Sequence, residues 1–174
     1  MKYFIDTEFI EDGKTIDLIS IAVVAEDGRE YYACSQDAEL HRVSSWVRQH
    51  VLPKLPPYDG HLKGDLKWSM TRLWKSRAEI AQDLVLFTGG PTTPLGGTGM
   101  NAMFTAGDLA HKPAWLPLKA DETKIEFCGY YADYDWVVLC QLYGTMMGLP
   151  KNFPRFCRDL KQLSMDVGSP EHPP

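Results

Sequence analysis

An α/β fold is what this sequence predicts, and three observations predict it. The chain opens with three apolar, β-rich runs separated by Asp-Gly turns. Helical apolar spacing follows, and a later strand-like run leads directly into another helix. At 174 residues, with 44% hydrophobic and 24% charged residues, the chain is expected to form one domain, residues 1–174, able to bury a core without staples.

The first strand is read at Tyr3-Phe4-Ile5-Asp6-Thr7-Glu8-Phe9-Ile10. Side chains alternate across a strand, so Asp6 and Glu8 face the same side. Two carboxylates on one face of a buried strand repel each other and resist desolvation. A hard divalent cation with oxygen ligands would offset that; solvated acids at the end of the strand are the plain alternative. Glu11-Asp12-Gly13-Lys14 reads as a hairpin turn, Ile16 to Ala25 as the second strand, Glu26-Asp27-Gly28-Arg29 as a second turn, and Glu30 to Cys34 as the third strand. Tyr31 and Tyr32 then face opposite sides.

Asp37 is placed to cap a helix with Leu40, Val43, Val47 and Val51 on one face, ending before Pro53. Ser76-Arg77-Ala78-Glu79 is a capping box opening a helix through Ile80, Leu84 and Phe87. Between them lie Lys63, Lys67, Trp68, Arg72, Trp74, Lys75 and Arg77. These either track a phosphate backbone while stacking bases, or form a solvated loop with its aromatics tucked into the core. Residues 88–122, broken by Gly and Pro, read as a loop insertion or lid. Gly96-Gly97-Thr98-Gly99 lacks the following Lys-Ser/Thr and the preceding strand of a P-loop.

Lys124 to Tyr131 is the next strand, followed by a helix from about Ala132 or Asp133. Asp133 suits the positive helix end. Asp135 shares its face with Leu139 and Leu142, the face that should pack on the sheet. An inward acid there is either a metal ligand or a salt-bridged structural group. Gly144 and Gly148 close that helix, Phe153 to Cys157 is extended, and Asp159 to Val167 is a short helix ended by Gly168. Arg155, Arg158 and Lys161 form a second basic cluster on a chain of formal net charge −5. That charge argues against bulk attraction to nucleic acid and leaves room for a local basic strip.

Cys34, Cys128, Cys140 and Cys157 make no C-x-x-C pair and sit in apolar contexts, so reduced core thiols in a cytoplasmic protein are expected. No apolar run is long enough to span a membrane and no signal peptide is visible. No dinucleotide fingerprint follows any strand, which removes support for a nicotinamide- or flavin-dependent oxidoreductase.

Phe4-Ile5-Asp6-Thr7-Glu8-Phe9 and Tyr131-Ala132-Asp133-Tyr134-Asp135-Trp136 resemble the first two motifs of the DEDD 3'→5' exonucleases of the DEDDh type. The closer likeness is to the small RNase T-like exoribonucleases of bacteria. Asp12-Gly13, the run Leu18 to Tyr32, Trp46-Val47-Arg48, Leu52-Pro53-Lys54-Leu55-Pro56 and Cys140-Gln141-Leu142 extend it. The resemblance implies an RNase H-like fold, a mixed sheet flanked by helices on both faces. It implies two Mg²⁺ or Mn²⁺ ions, with Asp6 bridging both, Glu8 holding one and Asp135 supporting the other. It further implies that Thr7, Phe9, Ile10 and Tyr131 contact the terminal nucleotide. Arg155, Arg158 and Lys161 would bind the strand. The implied substrate is single-stranded RNA or an RNA 3' overhang, the product a nucleoside monophosphate, and the assembly a homodimer.

The family's third motif, His-x-x-x-x-Asp, supplies a general base and a fourth carboxylate. The sequence stops at Glu171-His172-Pro173-Pro174, so a C-terminally incomplete nuclease domain is the expectation. Two function classes stand: a metal-dependent 3'→5' exoribonuclease, or a catalytically inactive module that binds nucleic acid or a partner.

Overall fold

Gly13 and Gly28 adopt φ of +80° and +87°, a conformation that glycine enters without steric cost, and each follows an aspartate in a tight turn. These turns fold the first three strands into an antiparallel meander. The structure is a computed structural model that describes residues 1–58, 72–89 and 124–168. Most of the 88–122 stretch, the basic residues Lys63 and Lys67, Trp68 and the terminal His172 lie outside the described residues.

Strands β1 (Lys2–Glu11), β2 (Ile16–Ala25) and β3 (Glu30–Ser35) agree closely with the reading from the turns. Short strands β4 (Trp74–Lys75), β5 (Glu126–Gly129) and β6 (Arg158–Asp159) complete a sheet of order β4-β3-β2-β1-β5-β6. The meander is antiparallel, while β4 pairs with β3, β5 with β1, and β6 with β5 in parallel. The parallel pairs need crossovers, and the helices supply them.

One face of the sheet carries the main core. Tyr3, Ile5, Ile21 and Val23 pack there against Ile80, Leu84 and Phe87 of α2 (Arg77–Phe87) and Val138 and Leu139 of α3 (Asp133–Gln141). Ile10, an odd number of residues from Ile5, points to the opposite face. It meets Ile19 and Val43 under the segment carrying α1 (Ser45–His50). Helices therefore flank both faces, and the architecture is the α/β RNase H-like one.

The capping box of α2 forms as the sequence predicts: Ser76 N donates to Glu79 Oε2 at 2.8 Å and Glu79 N to Ser76 Oγ at 3.3 Å. The helix expected after Asp37 is corrected. A 3₁₀ turn at Leu40–Arg42 gives way to extended Val43, and Ser44 caps α1 in place of Asp37. Asp37 Oδ2 instead accepts from Arg77 N at 2.8 Å, satisfying an open donor at the start of α2. A second 3₁₀ turn, Leu52–Lys54, carries Pro53 in its first turn, where the missing N–H costs nothing. Asp159 caps α4 (Leu160–Asp166), accepting from Gln162 N at 3.0 Å. All four cysteines are free thiols. Among the described residues no helix is long and apolar enough to cross a membrane.

Candidate active site

Alternation along β1 sends Tyr3, Ile5 and Thr7 into the main core and leaves Asp6 and Glu8 on the opposite face. There they stand opposite Ala22 and Ser20 of β2. Just beyond Glu8 the register slips: Glu8 pairs with Ser20 and Phe9 with Leu18, so Ile19 is the extra residue of a β-bulge. A bulge increases local twist and re-aims the neighbouring side chains. Tyr32 of β3 and Val51, Lys54 and Leu55 of the covering segment close a small cleft around the two acids, about 140 Å³ in volume.

The third acid arrives through the topology. Strand β5 pairs with β1 from Lys2 to Phe4, and beyond Phe4 that edge of β1 has no strand partner among the described residues. The chain turns after β5 into α3, and the first turn of this helix fills the gap. Thr7 N and Thr7 Oγ1 donate to Asp135 Oδ1 at 2.8 and 2.6 Å. Asp135 is buried to 7% exposure and is thus locked beside the backbone between Asp6 and Glu8. No Lys or Arg partner of Asp135 is found among the described residues, so the salt-bridge alternative is not what holds it.

The electrostatics follow from this crowding. Burial raises the Asp6 carboxyl above its ordinary value, and the nearby Asp135 charge raises it further. Burial likewise raises Glu8, helped by Asp6 and Asp135, with the Lys54 ammonium pulling in the other direction. Tyr32, on the same wall, is pushed up to about 12 by burial and by its contact with the Cys34 thiol, which donates to its hydroxyl at 3.4 Å. The donor set is therefore all oxygen and short of positive charge, which suits a hard divalent cation. Among the described residues no three His, Cys, Asp or Glu side chains form a ready-made metal cage. An open site fits Mg²⁺, which keeps several waters and needs only one or two carboxylates with substrate phosphates.

The other expected contacts divide. Phe9 is half-buried and packs on Tyr134 at 5.5 Å, and Tyr131 is 60% exposed beside Tyr130. Ile10 is buried in the second core and Thr7 is committed to Asp135. Arg155 Nη1 donates to Met146 O at 2.7 Å, Arg158 pairs with Glu126 at 3.3 Å, and Lys161 is buried. In the first basic stretch Arg72 pairs with Glu79, Lys75 with Asp83 and Arg77 with Asp17. Trp74 is buried, donating its indole N–H to Pro56 O and Pro57 O at 3.1 Å. For Trp74 the tucked-in alternative holds, while the three basic residues are held in ion pairs. Reading the sequence assigned no role in the cleft to Ser20, Tyr32 or Lys54. The alternation of Tyr31 and Tyr32 was the one signal available for Tyr32.

Comparison with known proteins gives the family. Residues 1–171 match the 3'-5' exoribonuclease Rv2179c-like domain. Two relatives from Mycobacterium tuberculosis strains are each 45% identical over 175 residues: 3'-5' exoribonuclease MT2234.1 of strain CDC 1551 / Oshkosh and 3'-5' exoribonuclease Rv2179c of strain ATCC 25618 / H37Rv. In both, all of this chain is covered, and 80% of the relative. With three carboxylates gathered on an RNase H-like sheet and this match along nearly its whole length, the chain belongs to the Rv2179c-like 3'-5' exoribonuclease family.

Proposed function

We propose that this protein is a divalent-metal-dependent 3'→5' exoribonuclease of the DEDD type. Its substrate is single-stranded RNA or an RNA 3' overhang, and its product a nucleoside monophosphate. The observation that carries the reading is the approach of Asp135, from the far end of the chain, to Asp6 and Glu8 on β1. Asp6 and Glu8 would hold two ions, Mg²⁺ or Mn²⁺, with Asp135 in support. Bound there, such ions lower the pKa of water and stabilise the oxygen that leaves the phosphorus.

The protein's own contribution is positioning. Thr7 fixes Asp135, so one carboxylate of the three is oriented before any ligand enters. The bulge at Ile19 fixes the aim of Glu8 relative to Asp6. Phe9 and Tyr134 present an aromatic surface beside the acids, on which a terminal base stacks; Tyr131 extends it. The exposed charges of Arg155 and Arg158 add to the field that the strand meets. Assembly as a homodimer and a cytoplasmic location belong to the same reading.

The test is a gel with 5'-labelled single-stranded RNA, run with Mn²⁺ and with chelator. The expected result is a stepwise ladder from the 3' end that needs metal and falls by orders of magnitude in Asp6→Asn. RNA binding with no shortening under any metal would favour the catalytically inactive binding module.

A further inference from the structure

The cleft beside Asp6 and Glu8 holds one feature that the carboxylates alone leave unexplained. Lys54, from the 3₁₀ turn Leu52–Lys54, is the single cationic side chain on its wall. Six other described Lys and Arg side chains are ion-paired: Arg29 with Asp27, Arg42 with Asp12 and Glu39, Arg72 with Glu79, Lys75 with Asp83, Arg77 with Asp17, Arg158 with Glu126. Lys54 enters no ion pair among the described residues, yet its charge is felt at Glu8.

Size and chemistry together point to the ligand. The cleft of about 140 Å³ is well below the ~300 Å³ or more of pockets that take drug-sized molecules. It is too small for a nucleoside and has room for a phosphate group with a few waters. Its polar wall offers the Ser20 and Tyr32 hydroxyls beside the Lys54 ammonium. A strand approaching two carboxylates is repelled by them, and an exposed cation on the same wall offsets part of that repulsion for a phosphate. Lysine suits this task as a compact point charge on a long stem.

Resting on the exoribonuclease reading above, we infer that Lys54 is a substrate-binding residue that holds a backbone phosphate of the RNA in the cleft formed by Ser20, Tyr32 and Leu55. It is a positioning contact and takes no part in proton transfer.

The experiment measures binding and turnover separately. Fluorescence anisotropy with a labelled single-stranded RNA, in chelator and over a salt series, compares wild type with Lys54→Met and Lys54→Arg. Lys151→Met, in the loop that carries Phe153, makes the same change in net charge and serves as the control. Lys54→Met should weaken binding about 10-fold at low salt and flatten the salt slope by about 0.7, one single-strand phosphate contact. Lys54→Arg should restore most of both, and Lys151→Met should change neither. In Mn²⁺-supported degradation, Lys54→Met should raise KM with little change in kcat. Unchanged affinity and slope in Lys54→Met, or an equal effect from Lys151→Met, overturns the assignment while leaving the nuclease reading intact. A Lys54-dependent binding slope in a protein that never shortens RNA would instead sink the nuclease reading and keep the phosphate contact.

Discussion

Asp6 is held in a place that disfavours its charge. Partial desolvation by the surrounding sheet, and then the Asp135 charge, raise its carboxyl above the ordinary value. The folded state therefore holds a proton there more tightly than the unfolded chain does. The sign follows: this contribution to stability is present at pH below the unfolded carboxylate value and is lost as pH rises through the folded one. Glu8 behaves in the same way. In chelator, Asp6→Asn should melt at an unchanged or higher temperature than wild type, the gap widening from acid to neutral pH. The same change should remove most of the Mn²⁺-induced rise in Tm, since a ligand that binds only the folded state stabilises it by mass action. A large fall in Tm without metal, with Mn²⁺ still protective, would make Asp6 a structural residue. Asp12 shows the opposite case at the surface: the Thr15 and Lys14 N–H groups hold its carboxyl down at about 2, so its contribution to stability is present above the ordinary carboxylate value and is lost as the pH falls towards the folded one.

The junction between β5 and α3 is the element on which the site depends. Tyr131 sits there at φ +56°, the one described non-glycine residue with positive φ. For a bulky aromatic residue this conformation costs about 1–3 kcal/mol. Asp159, at the end of β6, helps to impose it: its Oδ2 accepts from Ala132 N at 2.8 Å while its Oδ1 caps α4. The close approach at Gly129 adds a second constraint, since a Cβ there would lie 2.9 Å from Ala132 Cβ and 3.3 Å from Ile5 O. Tyr131→Gly should therefore leave the stability unchanged or raise it by up to about 1 kcal/mol of relieved strain, read from a denaturant melt. It should weaken RNA binding if the exposed ring stacks on a base. Equal affinity for RNA in the variant would remove Tyr131 from the substrate contacts. Gly129→Ala should lose about 1–3 kcal/mol in a denaturant melt, because both neighbours are tightly packed.

Across the whole molecule, α2 ties the meander to the remainder of the sheet, and one buried ion pair anchors it. Lys75 on β4, 3% exposed, pairs with Asp83 on α2 at 2.5 Å, and Tyr31 OH donates to the same carboxylate at 3.1 Å. Burial raises the Asp83 carboxyl even so, against the pull of Lys75. Lys75→Met should cost about 3–5 kcal/mol at neutral pH by leaving that carboxylate buried without its cation. The loss should shrink as the pH is lowered, because a protonated Asp83 no longer needs the cation. A deficit independent of pH would assign the cost to packing alone. Leu84→Ala, in the core of the same helix, should lose about 2–5 kcal/mol with little dependence on pH, which separates the two mechanisms.

Local rules settled much of this protein. The Asp-Gly turns, the alternation that puts Asp6 and Glu8 on one face, the capping box at Ser76 and the inward turn of Asp135 are all short-range consequences of residue type, and they are legible in order along the chain. The two-residue strands β4 and β6 are not, because they carry no periodicity and exist only where β3 and β5 offer them an edge. The fate of the basic residues was equally hidden: whether Arg72, Arg77 or Arg158 meets an acid is decided by which distant segments pack together. Only the tertiary structure brings Asp135 to Thr7, across 128 residues, and Lys54 to the wall facing Glu8. Sequence dictates which side of an element a group occupies, but a site is a meeting of elements. Here that meeting is made by β5 leaving the edge of β1 beyond Phe4 for the first turn of α3.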